Sequence, residues 1–187
     1  MGSQLKIGWV IGDQLDRKPW VREGVLTGGG VGLARYRWLA DYVEKQKDLG
    51  VRYSVYRPWK QYDAVIFLKS MGALSLSLLQ KLEHRGAPCI FDINVNYFEP
   101  GGKEYYSKMI PTEAQREEVV AMAESATAVI ADSEFIAERS REHNPKSYWV
   151  PDNVPIDLLP VYQPTYRGKR LCLLWSGESV KLFELLA

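Results

Sequence analysis

Cysteine and histidine are scarce in this chain, with two residues of each among 187. Both cysteines, Cys89 and Cys172, lie inside apolar runs, which favours buried free thiols in a reducing compartment over a disulfide or a metal site. The two histidines, His84 and His143, are too widely separated to form a zinc-binding pattern. The sequence therefore predicts no metal site.

The chain also lacks a strong charge of either sign, a leader-like segment and a long hydrophobic run. Its formal net charge is +1, so we expect no bulk electrostatic attraction to nucleic acid or to an anionic membrane. The stretch MGSQLKIGWV has no basic segment followed by a long apolar core, as a signal peptide would have. The longest apolar runs are far too short to span a bilayer. These absences predict a cytoplasmic protein.

What the chain does contain is a regular alternation of short apolar runs and longer helical patterns. The apolar runs predict strands, each buried on both faces, at residues 5–12, 51–57, 63–69, 87–93 and 126–133. Helical spacing covers residues 31–48, 72–85, 111–125 and 133–143. Gly50 and Gly86 are expected to end two of these helices, and Pro111 to begin another. Such alternation predicts an α/β domain with a doubly wound, mostly parallel Rossmann-like sheet.

The last part of the chain has a different organisation. A short strand at 147–153 is followed by a Pro- and Tyr-rich stretch without periodicity, and then by the apolar run RLCLLWSG and a helical pattern. We predict a Rossmann-like domain at 1–155, a linker at 156–169 and the first βα unit of a second domain at 170–187. Because that unit has no return strand, it indicates either a truncated second domain or a surface for homodimer formation.

A glycine cluster, Gly28, Gly29 and Gly30, precedes the first predicted helix. Because glycine has no Cβ, backbone N–H groups there can approach an anion, and a helix N-terminus adds partial positive charge. The alternative is a flexible loop that needs only positive φ angles. Leu33 stands where the dinucleotide-binding motif requires its third glycine, and no Gly-Lys-Ser/Thr follows. We therefore predict a phosphate site, but not NAD or ATP bound in their usual modes.

Polar residues follow several of the predicted strands. Their positions are the carboxyl ends of strands, where open α/β sheets bind ligands: Lys69, Asp92, Asn94, Asn96 and Ser133. Such a set of donors and acceptors suits a hydroxyl-rich ligand, so the sequence predicts a sugar-binding cleft. Lys69 is equally typical of a solvated strand end, and Ser133 of a helix N-cap. Asp92 and Asn94 would alternatively form an Asx-turn.

Five stretches, in this order and with suitable spacing, together resemble one protein family: GGVGLARYRWLADYVEK, DAVIFLK, FDINVNYFE, ATAVIADSEFIAERSREHN and YWVPDNVPID. They are similar to the N-terminal half of GT-B glycosyltransferases, most of all the retaining family 4, also called glycosyl transferases group 1. The matching features are the glycine loop and Arg-Tyr helix at 28–37, the strand-to-helix junction at 129–137 and the turn at 150–157. The resemblance covers roughly residues 5–177.

This resemblance implies two Rossmann-like domains facing across a cleft, with the acceptor on the N-terminal domain and the nucleotide-sugar donor on the other. The activity it implies is hexosyltransferase-like, without a cofactor or metal. The Gly28–Gly30 loop would cover the donor diphosphate, and Arg35 would join the strand-end residues in lining the cleft. No catalytic residue is assigned, because Asp92 and Asn94 stand where many members have a histidine. The chain ends before the family's paired glutamates, so we expect little transferase activity from it alone.

Two other functions stay open on the sequence. One is a non-catalytic carbohydrate- or nucleotide-binding module that works with a separate chain supplying the donor half. The other, a Rossmann-type oxidoreductase, is disfavoured by the incomplete dinucleotide motif. As a glycosyltransferase, the protein would bind a nucleotide-sugar and a hydroxyl acceptor but no nucleic acid. Peripheral membrane contact, or a homodimer through 170–187, is compatible with the sequence.

Overall fold

The computed structural model describes residues 4–12, 49–100 and 110–151, together with Leu15, Arg35, Tyr36, Leu39 and Tyr42. The glycine cluster, Cys172, the predicted linker and the predicted unit at 170–187 lie outside the described residues. The sheet and helices described below belong to one compact unit, Met1–Pro100 with Pro111–Val154.

Six parallel strands form a single sheet. They are β1 (Leu5–Ile11), β2 (Val51–Val55), β3 (Ala64–Leu68), β4 (Cys89–Ile93), β5 (Ala128–Ala131) and β6 (Ser147–Trp149). Their order across the sheet is β2-β1-β3-β4-β5-β6, and every neighbouring pair is parallel. Because β1 lies between β2 and β3, the direction in which the chain winds reverses between β1 and β3.

Three described helices cover one face of the sheet: α1 (Ala73–His84), α2 (Glu113–Ser125) and α3 (Glu134–Arg141). Side chains of all three, among them Leu79, Met122 and Ile136, share a buried cluster with Phe67 and Phe91 of the sheet. The opposite face carries a second cluster, in which helical Tyr36 and Leu39 pack on Trp9, Ile66 and Leu68. Apolar helical residues on both faces confirm the predicted α/β, doubly wound, Rossmann-like fold.

The helix ends follow from local sequence. Thr112 caps α2 in a capping box with Gln115, directly after the predicted start at Pro111. At the end of α1, Gly86 adopts a φ of 78°, and the N–H groups of Gly86 and Ala87 donate to the carbonyls of Glu83 and Leu82. This is a Schellman motif, which requires the left-handed conformation that glycine adopts at low cost. The predicted helix end at Gly86 is therefore confirmed.

Strand β2 departs from the expectation of burial on both faces. It lies at the edge of the sheet, where Arg52 is exposed and only Val55 is fully buried. An edge strand has a neighbour on one side only, so its apolar residues gain less cover than those of β3. The apolar composition of β2 did not distinguish an edge position from a central one.

Residues 56–63 connect β2 to β3 without a helix, and Tyr56 and Tyr62 of this connection pack into the cluster on one face of the sheet. Tyr62 holds this short crossover: its hydroxyl accepts from the Arg57 N–H at 3.0 Å and donates to the Val55 carbonyl at 3.2 Å. Its ring lies so close to Gly8 that a Cβ there would be 2.9 Å from Tyr62 Cδ1. Glycine in the middle of β1 is thus needed for the close approach of the crossover.

Cys89, expected to be a buried free thiol, is free and fully buried at the start of β4. Burial and, to a smaller extent, the negative charge of Glu83 together raise the pKa of this thiol to about 12. The folded protein therefore keeps the neutral thiol at a pH where the unfolded chain releases the proton.

The raised pKa of Cys89 predicts a loss of stability in mild alkali. The contribution is complete below the thiol pKa of the unfolded chain and is lost as the pH rises from there towards the folded pKa. We expect the loss to be roughly 1.4 kcal/mol per pH unit across that window. Urea unfolding between pH 8 and pH 10, in a Cys172→Ser background so that one thiol titrates, compares Cys89 with Cys89→Ala. Equal pH slopes for the two proteins would contradict the prediction.

Candidate functional site

The polar residues predicted from the sequence lie at the carboxyl ends of neighbouring strands. Backbone hydrogen bonds continue beyond the regular strands, from Lys69 N–H to the Asp92 carbonyl at 2.8 Å and from Asp132 N–H to the Ile93 carbonyl at 3.4 Å. The Val150 N–H likewise donates to the Ala131 carbonyl at 2.8 Å. These bonds bring the ends of β3, β4, β5 and β6 to one border of the sheet, which we call the carboxyl edge.

Arg35 and Asp92 form a buried ion pair at this edge. Arg35 Nε lies 2.8 Å from Asp92 Oδ2, and the two side chains are 4% and 0% exposed. The guanidinium also donates from Nη2 to the Val150 carbonyl at 3.2 Å. Arg35, which is helical, thus contacts the ends of both β4 and β6. Asp92 Oδ2 thus makes a long-range contact with Arg35. The local Asx-turn was the alternative that the sequence offered for this residue.

Lys69 has an unusual backbone conformation. Among the described residues other than glycine, it has the only positive φ, 51°. Non-glycine residues pay roughly 1–2 kcal/mol for this left-handed conformation, and such residues cluster at functional sites. The ammonium group lies over the ring of Tyr97, with Nζ 6.0 Å from the ring centroid. Burial raises the pKa of the Tyr97 phenol above its ordinary value.

The two asparagines after β4 have different roles. Asn96 Oδ1 accepts from the Phe98 N–H at 3.2 Å, and Asn96 Nδ2 donates to Glu99 Oε2 at 3.2 Å. Asn96 therefore closes its own turn. Asn94 is partly exposed, but its Oδ1 is buried and has no hydrogen-bond partner. A buried amide oxygen without a donor is costly, and it is satisfied when a ligand or a water supplies one.

Ser133 acts as a helix cap. Its Oγ accepts from the Ile136 N–H at 3.3 Å and so satisfies the first turn of α3. The loop after β4 is also tied to this helix, since Phe98 stacks on His143 at 5.3 Å and Glu99 pairs with Arg139 at 2.7 Å. These contacts hold the loop that carries Asn94 against the body of the domain.

One residue at the carboxyl edge was missed by the sequence reasoning. Trp149 ends β6 with its side chain 51% exposed, and its indole N–H donates to the Asp132 carbonyl at 3.1 Å. The sequence signal was an aromatic pair, Tyr148-Trp149, in a strand too short to be buried on both faces. A tryptophan is not among the polar strand-end residues from which the site was predicted, so that pattern did not indicate Trp149.

The structure thus brings Arg35, Lys69, Asp92 and Asn94 to one edge, whereas Asn96 and Ser133 serve local turns there. Gly28, Gly29 and Gly30 lie outside the described residues, so the phosphate loop stays a prediction. Within the described ranges, no three His, Cys, Asp or Glu side chains are grouped to hold a metal ion. Nor does any described helix have the length and apolar character needed to cross a membrane. The chain matches no protein-family model, and neither a curated protein nor a solved structure is significantly similar to it.

Proposed function

We propose that this chain is the acceptor-binding part of a GT-B-type glycosyltransferase. The reaction would move a sugar from a nucleotide-diphosphate donor to a hydroxyl acceptor, with retention at the anomeric carbon. The observation that carries the proposal is the position of Arg35. Its contacts with Asp92 and Val150 join three separate stretches of the resemblance, those at residues 29–45, 91–99 and 148–157.

The chemistry of the carboxyl edge supports a neutral, hydroxyl-rich acceptor. Asn94 offers an amide oxygen that lacks a donor, and Lys69 offers an ammonium group. A sugar hydroxyl both donates and accepts, so it is able to bind an amide oxygen as well as an ammonium group. The negative charge of Asp92 is balanced by Arg35 and is inaccessible to solvent. Asp92 is therefore a positioning residue in this proposal rather than a base.

The contribution of these residues to transfer is orientation. The Arg35–Asp92 pair fixes the end of β4, from which Asn94 projects, and the contacts of Phe98 and Glu99 with α3 restrain the loop beyond it. An acceptor hydroxyl that is held at such a rigid carboxyl edge loses little further translational and rotational entropy on reaching the transition state. The Gly28–Gly30 loop is proposed to bind the donor diphosphate through backbone N–H groups. A reducing, cytoplasmic compartment suits the free Cys89 thiol.

The proposal predicts weak but saturable binding of hydroxyl acceptors by the purified chain. Saturation-transfer NMR with mono- and oligosaccharides, glycolipid head groups and polyols detects such binding directly. We expect Asn94→Ala to weaken the best acceptor by about tenfold, which corresponds to one lost hydrogen bond of roughly 1.4 kcal/mol. Gln80→Ala removes an amide from the exposed face of α1 and serves as the matched control.

An oxidoreductase would give the opposite pattern in the same experiment. Saturable binding of NADH or NADPH, without a response to any hydroxyl compound, would contradict the glycosyltransferase proposal. Equal acceptor affinities for Asn94→Ala and Gln80→Ala would remove Asn94 from the site.

A further inference from the structure

Two neighbouring strands at the carboxyl edge end in the same backbone conformation. Gly12, after β1, has a φ of 52°, and Lys69, after β3, has a φ of 51°. The Gly12 N–H donates to the Leu68 carbonyl at 2.9 Å, so the two turns lie side by side. At every other described position with a positive φ the residue is glycine, which adopts this conformation at low cost. Lysine at position 69 is therefore the exception, because the turn requires the backbone angle and not the side chain.

These two turns flank the place where the direction of winding reverses. The chain after β1 contributes Tyr36 and Leu39 to the cluster on one face of the sheet, whereas α1, which follows β3, packs on the opposite face. Open α/β sheets bind ligands beyond the ends of two strands whose connections separate in this way. Lys69 therefore stands at the position where this class of fold binds ligands.

The surrounding structure holds Lys69 in its left-handed conformation. Its N–H donates to the Asp92 carbonyl at 2.8 Å, which fixes the turn against the end of β4. The next residue, Ser70, is fully buried, and its Oγ lies 2.8 Å from the Oγ of Ser75 in the first turn of α1. A strained conformation persists only where its surroundings enforce it, and such residues cluster at active sites and ligand clamps. The strain at Lys69 thus belongs to the connection from β3 to α1.

The side chain of Lys69 extends towards the loop after β4. Its Nζ lies 6.0 Å from the ring centroid of Tyr97, and that ring packs against the core cluster that the three helices cover. Lys69 and Tyr97 are both partly exposed, so a ligand is able to reach this contact. An ammonium group offers N–H donors and no acceptor, and a hydroxyl oxygen accepts from such donors.

Resting on the proposed function, we propose that Lys69 is a binding residue for the acceptor, and that lysine is retained there although it makes the fold less stable. Its ammonium group would donate to an acceptor hydroxyl. Affinity and stability should then depend on different properties of the side chain at position 69. Affinity should follow its positive charge, and stability should follow the ease with which the residue adopts a left-handed conformation.

Four substitutions of Lys69 separate these two properties. Lys69→Arg keeps the charge and Lys69→Met keeps the aliphatic stem without the charge, and both leave a long side chain in the strained conformation. Lys69→Asn and Lys69→Gly remove the charge and relieve the strain, since asparagine and glycine adopt positive φ angles more readily.

The acceptor affinity of each variant is measured by saturation-transfer NMR with the hydroxyl compounds named above. We expect Lys69→Arg to bind within about threefold of the wild type, and the three uncharged variants to bind about tenfold more weakly or worse, because each loses a charge-assisted hydrogen bond. Thermal unfolding should rank the variants differently. Lys69→Asn should raise the Tm by about 2–4 °C, whereas Lys69→Arg and Lys69→Met should stay within about 1 °C of the wild type. Lys69→Gly should gain less than Lys69→Asn, because glycine makes the unfolded chain more flexible.

Two controls match these variants. A Cβ at Gly12 would have no atom within 4 Å apart from those of its chain neighbours, so Gly12→Ala adds only a side chain in the left-handed conformation. It should lower the Tm by about 2–4 °C. Lys60→Met removes an exposed charge from the connection between β2 and β3, and it should bind acceptors as the wild type does.

The outcomes separate this inference from the proposed function. Unchanged acceptor binding in Lys69→Met and Lys69→Asn overturns the role of Lys69, while the glycosyltransferase proposal, tested by Asn94→Ala, stands. If Lys69→Asn and Lys69→Gly both unfold below the wild type, lysine serves the fold, and the inference of retained strain is overturned. Binding of inorganic pyrophosphate that is lost in Lys69→Met, with acceptor binding intact, assigns the ammonium group to an anion and also overturns it. If the wild type binds no hydroxyl compound, both proposals fail.

Discussion

Replacing Asp92 with alanine should lower the free energy of unfolding by about 3–5 kcal/mol, the range found when one partner of a buried ion pair is removed. Arg35 is 4% exposed and faces Asp92 Oδ2 at 2.8 Å, so its guanidinium loses this carboxylate in a place that water barely reaches. Urea unfolding of the purified variant measures the loss, with the midpoint and slope analysed together.

Two further variants distinguish burial of charge from simple loss of a contact. Glu142→Ala breaks an exposed pair with Arg139 at 3.3 Å and should cost less than about 1 kcal/mol. The double variant Arg35→Met/Asp92→Leu removes both charges and should recover much of the stability lost in Asp92→Ala. A loss of less than about 1 kcal/mol for Asp92→Ala, or additive losses in the double variant, would show that Arg35 and Asp92 do not form a strongly coupled buried ion pair.

Replacing Asn144 should have an effect of similar size. Its Nδ2 donates to the carbonyls of Ala123 and Ala126, both at 2.8 Å, and its Oδ1 accepts from the Lys146 N–H at 2.9 Å. The residue is 6% exposed, so Asn144→Ala leaves buried carbonyls without a donor. We expect a loss of about 2–4 kcal/mol, since each unsatisfied buried group costs about 1–3 kcal/mol.

Aspartate at the same position separates hydrogen bonding from side-chain volume. Asn144→Asp keeps the shape but directs a carboxylate at two carbonyl oxygens, so at neutral pH it should destabilise the protein more than Asn144→Ala. Thermal unfolding ranks the variants, and Gln80→Ala, an exposed amide on α1, should stay within about 0.5 kcal/mol of the wild type. If Asn144→Asp were as stable as the wild type, the bonds from Nδ2 would not hold the end of α2.

Short-range physics made the elements of this fold predictable from the sequence. Apolar runs of strand length predicted five of the six described strands as parts of a parallel sheet, and SYWVPDN predicted the sixth. Gly86 and the Thr112–Gln115 capping box act within a single helical turn, so a few residues of sequence are enough to predict their effect. The same holds for Ser133 and Asn96, whose side chains serve turns in their own neighbourhood.

The candidate site was predictable only in part. Because parallel strands all end at one edge, the residues after β3 and β4 could be placed together without knowing the strand order. The sequence did not predict the left-handed backbone of Lys69 or the buried Asn94 Oδ1 that lacks a donor. Both features depend on how the chain turns after its strand. The exposure of Trp149 was not predicted either, because it follows from the edge position of β6.

By itself, then, the sequence determined where strands and helices form and that the strands run parallel, because periodicity and end signals act over a few residues. Only the tertiary structure decided which distant groups meet. Arg35 and Asp92 are 57 positions apart, and Asn144 and Ala123 are 21 apart. No local pattern encodes those partners, since the packing of helices onto an ordered sheet is what brings them together.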